Sequence, residues 1–162
     1  MENSKKCLII CIVFLILAVV PAMAEKNGLG IGLYGKFITG DLATGGGVGL
    51  TIRYGSFPVI GLAWNFLPNS FPLDGSLDYW IINYPIGNTK IFYYYLGVGG
   101  YFALMNINSS DSYFNIGARV PLGLQAYFIE PLELFIEVAP ALVFYPTIRW
   151  TITGRLGFRI FF

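Results

Sequence analysis

Apolar residues alternate with small or polar residues along most of the chain that follows residue 27. In the first such segment the two rows are Leu29, Ile31, Leu33 and Phe37 on one face, and Gly28, Gly30, Gly32, Tyr34 and Lys36 on the other. Residues two positions apart lie on the same face of a β-strand. The alternation therefore predicts a strand whose two faces meet different surroundings.

Seven further segments repeat this period. They lie at 47–54, 59–66, 79–84, 92–102, 114–125, 133–142 and 152–162. The segment 79–84 is the weakest, because both of its faces are apolar. Proline lacks the backbone donor that a sheet ladder needs. Pro121 and Pro140 lie inside predicted strands, so we expect a bulge or an early strand end at each.

The connections between these segments are of two kinds. The odd-numbered ones are longer and richer in Asp, Asn, Ser and Pro, and lie at 39–44, 67–76, 104–112 and 145–149. The even-numbered ones are mostly short turns, at 55–58, 85–89 and 127–132. An up-and-down barrel of the bacterial outer membrane has this asymmetry, with long loops outside and short turns on the periplasmic side.

Composition decides which face of the strands meets lipid. Hydrophobic residues make up 56% of the chain and charged residues 12%, about half the charge of an average soluble domain. A soluble barrel would put the apolar row inside, where rows of Leu, Ile, Phe and Tyr would overfill a small core. We therefore expect an all-β fold, an eight-stranded antiparallel up-and-down transmembrane β-barrel with its apolar rows outside.

The first 24 residues have the features of a secretory signal peptide. Lys5 and Lys6 precede an apolar run of about 14 residues, which ends in the small-residue pattern 22–24. An uncleaved anchor is the alternative, although the run is short for a spanning helix. We expect residues 1–24 to be removed and residues 25–162 to form one barrel domain. Cys7 and Cys11 both lie in the first part, so the second needs no disulfide.

Loss of the signal peptide makes the charge balance neutral. Removing Lys5, Lys6 and Glu2 from ten basic and nine acidic residues leaves eight of each. No basic cluster is present that would neutralise phosphates, so we expect no nucleic-acid partner.

The last three segments place charges on the face opposite a purely apolar row. Arg119, Glu137 and Arg155 fall near mid-height on neighbouring strands, and we expect Glu137 to bridge the two arginines. Unpaired charges are costly in a narrow, partly dry interior, whereas a paired cluster is tolerated. Three further lumen-facing charges lie nearer the strand ends, where we expect them to reach water, and are Lys36, Arg53 and Arg159.

The residues offer little for catalysis or for holding a cofactor. The chain contains no histidine, which excludes Ser/His and Cys/His sites and removes the usual zinc ligands. Glu133 and Glu137 are four residues apart on a strand, about 13 Å, too far to act on one bond. We interpret them as a rim charge and a lumen charge. We expect no enzyme activity, no cofactor and no metal.

Aromatic residues are expected at both membrane interfaces, as in other outer-membrane barrels. The predicted outer belt comprises Trp64, Phe66, Tyr79, Trp80 and Trp150. The predicted inner belt comprises Tyr54, Phe57, Tyr84, Phe92, Tyr127, Phe128 and Phe162.

The carboxyl end resembles the C-terminal signature of bacterial outer-membrane barrels, an alternating strand that finishes in phenylalanine. Its residues here are Leu156, Phe158, Ile160 and Phe162. In size and strand number the chain resembles the small eight-stranded barrels typified by the OmpA membrane domain and OmpX. Residues 116–125 and 130–140 are also similar to a little-characterised family of small spirochaetal outer-membrane barrels. The resemblance implies a bacterial outer-membrane location, outer-membrane lipid as surroundings and the barrel assembly machinery as a partner.

Three functions of different classes are compatible with such a barrel. The first is a structural role in envelope integrity with a lumen filled by side chains. The second is binding of a surface ligand or host factor through loops 67–76 and 104–112. The third is a narrow, porin-like channel, although an eight-stranded barrel is only just wide enough for side chains to fill.

Overall fold

The computed structural model describes residues 28–66, 72–105 and 113–162. The predicted signal peptide at 1–24 lies outside the described residues. The same is true of 67–71 in the first predicted binding loop and of 106–112 in the second.

The described residues form nine β-strands. In chain order they are β1 (Leu29–Gly40), β2 (Gly45–Tyr54), β3 (Val59–Phe66), β4 (Leu73–Pro85), β5 (Phe92–Met105), β6 (Tyr113–Arg119), β7 (Leu122–Ile129), β8 (Leu132–Tyr145) and β9 (Arg149–Phe161). Within the described ranges, no helix is both long enough and apolar enough to cross a membrane.

Antiparallel pairing joins these strands into a closed ring. Strands β1 to β6 pair in succession, as do β7 to β9, and β9 returns to pair with β1 from Gly30 opposite Phe161 to Gly40 opposite Thr151. β6 and β7 share one position in the wall, because both pair with β5 on one side and with β8 on the other. The wall therefore has eight strand positions, and the predicted eight-stranded antiparallel barrel is confirmed.

The interruption between β6 and β7 lies at Val120 and Pro121. Gly97 N–H donates to the Pro121 carbonyl (2.9 Å) and Val120 N–H donates to the Pro140 carbonyl (3.0 Å). Neither proline can donate a bond in return. The predicted early strand end is confirmed at Pro121. It is wrong for Pro140, because β8 continues through that residue and the break appears in the strand opposite.

The two faces of the wall differ as the alternation predicts. Residues of the apolar rows, such as Leu33 and Ile136, are exposed on the outside, while the alternate residues are buried in the lumen. Glycines in the lumen rows make room for large side chains from the neighbouring strands, as Gly123 of β7 does for Tyr95 of β5. A Cβ on Gly123 would lie 2.3 Å from the Tyr95 ring, so this lumen is packed with large residues against small ones.

The connections lie at two ends, which we call the loop end and the turn end. The loop end has the connections 41–44, 67–72, 106–112 and 146–148, and the turn end has 55–58, 86–91 and 130–131. The predicted difference in length is weak. Residues 146–148 form one of the shortest connections, and β4 begins at Leu73, so residues 73–76 of the predicted loop 67–76 belong to a strand.

The predicted aromatic belts need a correction in β4. Tyr79 faces outward, but it lies at the turn end, where its ring meets Phe57 edge to face at 6.1 Å. Trp80 is buried in the lumen, so it belongs to neither belt. The register between β4 and β5 shifts between Trp80 and Ile82, and such a bulge reverses the facing of the residues beyond it.

Candidate functional site: the ion-paired lumen

Charged side chains fill the lumen at three levels. Among the described residues, nine are buried there, namely Lys36, Arg53, Arg119, Arg155 and Arg159 with Asp74, Asp78, Glu133 and Glu137. None is more than 6% exposed. Burying an isolated ion is costly, so each charge needs a partner. The alternating strands supply these partners by placing every second residue of each wall inside.

The central level contains the three residues selected from the sequence. Glu137 on β8 lies between Arg119 on β6 and Arg155 on β9. Its Oε1 accepts a hydrogen bond from Arg119 Nη2 and lies 3.3 Å from Arg155 Nη1. Tyr95 donates its hydroxyl to Oε2 at 2.9 Å. The structure thus brings Arg119, Glu137 and Arg155 together.

A second acid joins this central level. Asp78 on β4 has its Oδ1 3.2 Å from Arg119 Nε. Among the described residues, neither of its carboxylate oxygens has a hydrogen-bond partner. Arg155 reaches β4 as well, and donates to Ser76 Oγ at 3.2 Å from both terminal nitrogens. We call Arg119, Glu137, Arg155 and Asp78 the central cluster.

The level nearest the turn end centres on Glu133, which is 0% exposed. Its Oε1 accepts from Arg159 and from Gln125, the latter at 3.1 Å. Its Oε2 accepts from Arg53 and from the Tyr127 hydroxyl, the latter at 2.9 Å. We call these five residues the turn-end cluster. The prediction that Glu133 is a rim charge is wrong, since both of its oxygens are saturated inside the wall.

The side chains around the turn-end cluster hold its arginines in place. Arg53 donates to the Gly55 carbonyl at 2.7 Å and to the Tyr127 hydroxyl at 2.8 Å, while Arg159 donates to Thr51 at 3.1 Å. The Arg53 guanidinium also lies 4.4 Å from the centre of the Trp80 ring, a distance at which an aromatic face attracts a cation. The expectation that Arg53 and Arg159 reach water is therefore wrong.

The third level lies toward the loop end. Lys36 on β1 forms an ion pair with Asp74 on β4, and Asn65 donates to the same carboxylate at 2.6 Å. Lys36 is 6% exposed, so it is also buried, and the expectation that it reaches water is wrong. We call Lys36, Asp74 and Asn65 the loop-end cluster.

Sequence reasoning missed Asp74 and Asp78, because it assigned 67–76 to a loop and took the strand to begin at Tyr79. The sequence nevertheless contains a pattern that indicates a strand at these residues. Asp74, Ser76 and Asp78 alternate with Leu73, Gly75 and Leu77, which is the same period of two as in the other strands. Two acids in a row of small residues are also typical of a loop, which is why composition alone favours the wrong assignment.

The residues of the C-terminal signature occupy one outward row of β9 and its end. Leu156, Phe158 and Ile160 are exposed on the outer face, and Phe162 lies just beyond the strand. Phe162 and Leu29 exchange backbone hydrogen bonds of 3.0 and 3.3 Å, so the terminal residue helps to close the ring.

The arrangement of the buried charged side chains favours a structural role over a catalytic one. Each buried acid of the described residues is engaged by guanidinium, ammonium, hydroxyl or amide groups of other strands. Within the described ranges, no group of three or more His, Cys, Asp or Glu side chains could hold a metal ion. What this lumen can do is cross-link opposite walls of the barrel by charge-assisted hydrogen bonds.

Solved structures of known barrels share this fold. The N-terminal β-barrel domain of Pseudomonas aeruginosa OprF superimposes with a TM-score of 0.59 at 18% identity, covering 83% of this chain and 98% of that one. Ail, the attachment invasion locus protein of Yersinia pestis, gives 0.52 at 16% identity, covering 85% of this chain and 100% of that one.

Neisserial surface protein A, NspA, gives a TM-score of 0.50 at 13% identity, covering 83% of this chain and 96% of that one. No protein-family model matches the sequence, and no curated protein does so. At these identities the likeness shows the fold, which is that of the small outer-membrane barrels.

Proposed function

We propose that this protein is an integral barrel of the bacterial outer membrane, and that it contributes to the integrity of the envelope. The observation that carries the proposal is the contrast between its faces, an apolar outer surface around a lumen cross-linked by buried ion pairs. In water, the outer rows of large apolar side chains would be an unusually large exposed patch. In a bilayer the same rows match the hydrocarbon.

The filled lumen supports a structural role over conduction. The central cluster and the turn-end cluster occupy successive levels, and each joins strands that are not neighbours in the ring, Asp78 of β4 with Arg119 of β6 and Arg53 of β2 with Glu133 of β8. We therefore expect no single-channel steps when the purified protein is added to a planar lipid bilayer. Reproducible steps above the background of an empty bilayer would favour the channel instead.

The envelope role is testable in a strain that lacks the protein. We expect such a strain to take up more of a hydrophobic dye and to be more sensitive to detergent, and the intact chain to restore the barrier. The protein should be found in the outer-membrane fraction and should migrate faster on a denaturing gel before boiling than after. An unaltered barrier in the strain would contradict the proposal.

A matched variant separates the structural role from surface binding. Residues 67–72 and 106–112 are replaced together by short Gly/Ser turns, which leaves the described strands unchanged. A structural barrel should restore the barrier with these turns. If the barrier is restored by the intact chain and lost with the turns, the protein acts through its loops.

A further inference from the structure

The connection between β1 and β2 at 41–44 does not stay outside the barrel. Leu42 is 8% exposed, although it belongs to no strand. Its side chain packs with Tyr101 and Ala103 of β5 and with Val143 of β8. In a ring of eight positions, β5 lies opposite β1, so Leu42 reaches across the lumen from one wall to the other.

The backbone on either side of β1's end directs Leu42 inward. Gly40 has a φ of 140°, which favours glycine, and a Cβ there would lie 2.6 Å from the Trp150 carbonyl oxygen. Asp41 N–H donates to that carbonyl at 3.0 Å, which ties the connection to β9. The chain is thus held against one wall just before Leu42.

Several side chains near Leu42 are polar, and some of their buried atoms have no hydrogen-bond partner among the described residues. Asp74 and Asn115 both stand opposite Ala103 in register, one on each neighbouring strand. Asp74 Oδ1, Asn65 Oδ1 and Asn115 Nδ2 are buried, and none has a hydrogen-bond partner among the described residues. Buried polar atoms of this kind usually bind internal water. An apolar side chain therefore lies beside buried polar atoms that favour water, and we call the part of the lumen around Asp74, Asn65 and Asn115 the chamber.

We propose that Leu42 is a hydrophobic plug that seals this chamber at the loop end, and that the connection 41–44 controls whether water and small solutes enter the lumen from that side. Movement of the connection would admit them past the loop-end cluster as far as Ser76, which lies between Asp74 and Asp78 on β4. The central cluster, which lies deeper, would still separate the chamber from the turn end.

Cysteine accessibility tests the plug in the folded protein. The chain's two cysteines, Cys7 and Cys11, precede the described residues and are replaced by serine. The probe is Ser76→Cys, because Ser76 is buried and stands opposite Tyr101, which Leu42 contacts. The reagent is a small, charged thiosulfonate, applied to the protein in detergent micelles. We expect slow labelling with Leu42 present and labelling about tenfold faster or more in Leu42→Gly, since the burial of one leucine then no longer favours the closed state.

Three comparison variants make the result specific. Leu42→Met keeps an apolar side chain and should label as slowly as the parent, as should Thr44→Gly, which alters an exposed residue of the same connection. Thr51→Cys lies buried near the turn end and should stay unreactive in the Leu42→Gly background. Fast labelling of Ser76→Cys with Leu42 intact, or slow labelling in Leu42→Gly, would overturn the plug. Fast labelling of Thr51→Cys would show general loosening and overturn it equally. The assay uses isolated protein, so its outcome is independent of the envelope role.

Discussion

The turn-end cluster and the central cluster both compensate buried charges, but the acid of the turn-end cluster has more hydrogen bonds. In each, one glutamate of β8 lies between two arginines. Glu133 has a partner for each of four lone-pair directions, two on each oxygen. Glu137 has the two arginines on one oxygen and a single tyrosine hydroxyl on the other. The central cluster then adds Asp78, whose oxygens have no hydrogen-bond partner among the described residues.

The difference shows that pairing of charges and satisfaction of hydrogen bonds are separate requirements. The turn-end cluster has two cations and one acid, yet every oxygen of its acid is bonded. The central cluster has two cations and two acids, which balances charge better but leaves donors and acceptors misaligned. A buried carboxylate that loses its hydrogen bonds pays a desolvation cost that charge balance alone does not remove. We therefore expect the turn-end cluster to stabilise the barrel more.

Removal of the Glu133 charge should have the largest effect. Glu133→Gln leaves Arg53 and Arg159 buried without an anion, and breaking a buried pair typically costs about 3–5 kcal/mol of unfolding free energy. Urea unfolding in detergent micelles, followed by loss of the fast-migrating form on an unboiled gel, measures this. The control is Thr89→Ser, a conservative change of an exposed residue in the turn 86–91, which should unfold like the parent. Equal midpoints for Glu133→Gln and the parent would contradict the ranking.

Glu137→Gln should destabilise the barrel less, because Asp78 remains beside Arg119. The same unfolding assay should therefore rank Glu133→Gln below Glu137→Gln in stability. Asp78→Asn sharpens the comparison. If Asp78 takes over part of the compensation, Asp78→Asn should cost more in the Glu137→Gln background than in the parent, by a coupling of roughly 0.5–3 kcal/mol. Strict additivity of the two substitutions would show that Asp78 does not substitute for Glu137.

The tyrosine hydroxyls provide the smallest and most local test. Tyr127 donates to Glu133 and accepts from Arg53, whereas Tyr95 donates to Glu137. Hydrogen bonds to charged groups contribute about 1.5–3 kcal/mol. Tyr127→Phe removes two of them and should lower the unfolding midpoint more than Tyr95→Phe. A larger effect of Tyr95→Phe would mean that the hydrogen bond to Glu137 is the more important one.

Much of the architecture follows from the sequence alone, because side-chain period is a local property of a strand. The alternation identified the outward rows, and it placed Arg119, Glu137 and Arg155 on the inward face of neighbouring strands. It also located the strand end at Pro121, although the same reasoning failed at Pro140, where the strand continues. It failed at Trp80, because a bulge just beyond this residue separates it from the outward row of Ile82 and Tyr84. It failed also at Asp74 and Asp78, because their polar composition was typical of a loop.

The partners across the lumen depended on the tertiary structure. Arg53 on β2 meets Glu133 on β8, and Lys36 on β1 meets Asp74 on β4, although neither pair lies on adjacent strands. These charges meet because the wall is curved and closed and because the side chains are long enough to cross the lumen. The alternation in the sequence contains no information about the curvature of the wall or about the distance across it. For the same reason, Leu42 reads as a loop residue in the sequence and becomes a lumen residue in the fold. The sequence determined which residues face inward, and closure of the barrel decided what each of them meets.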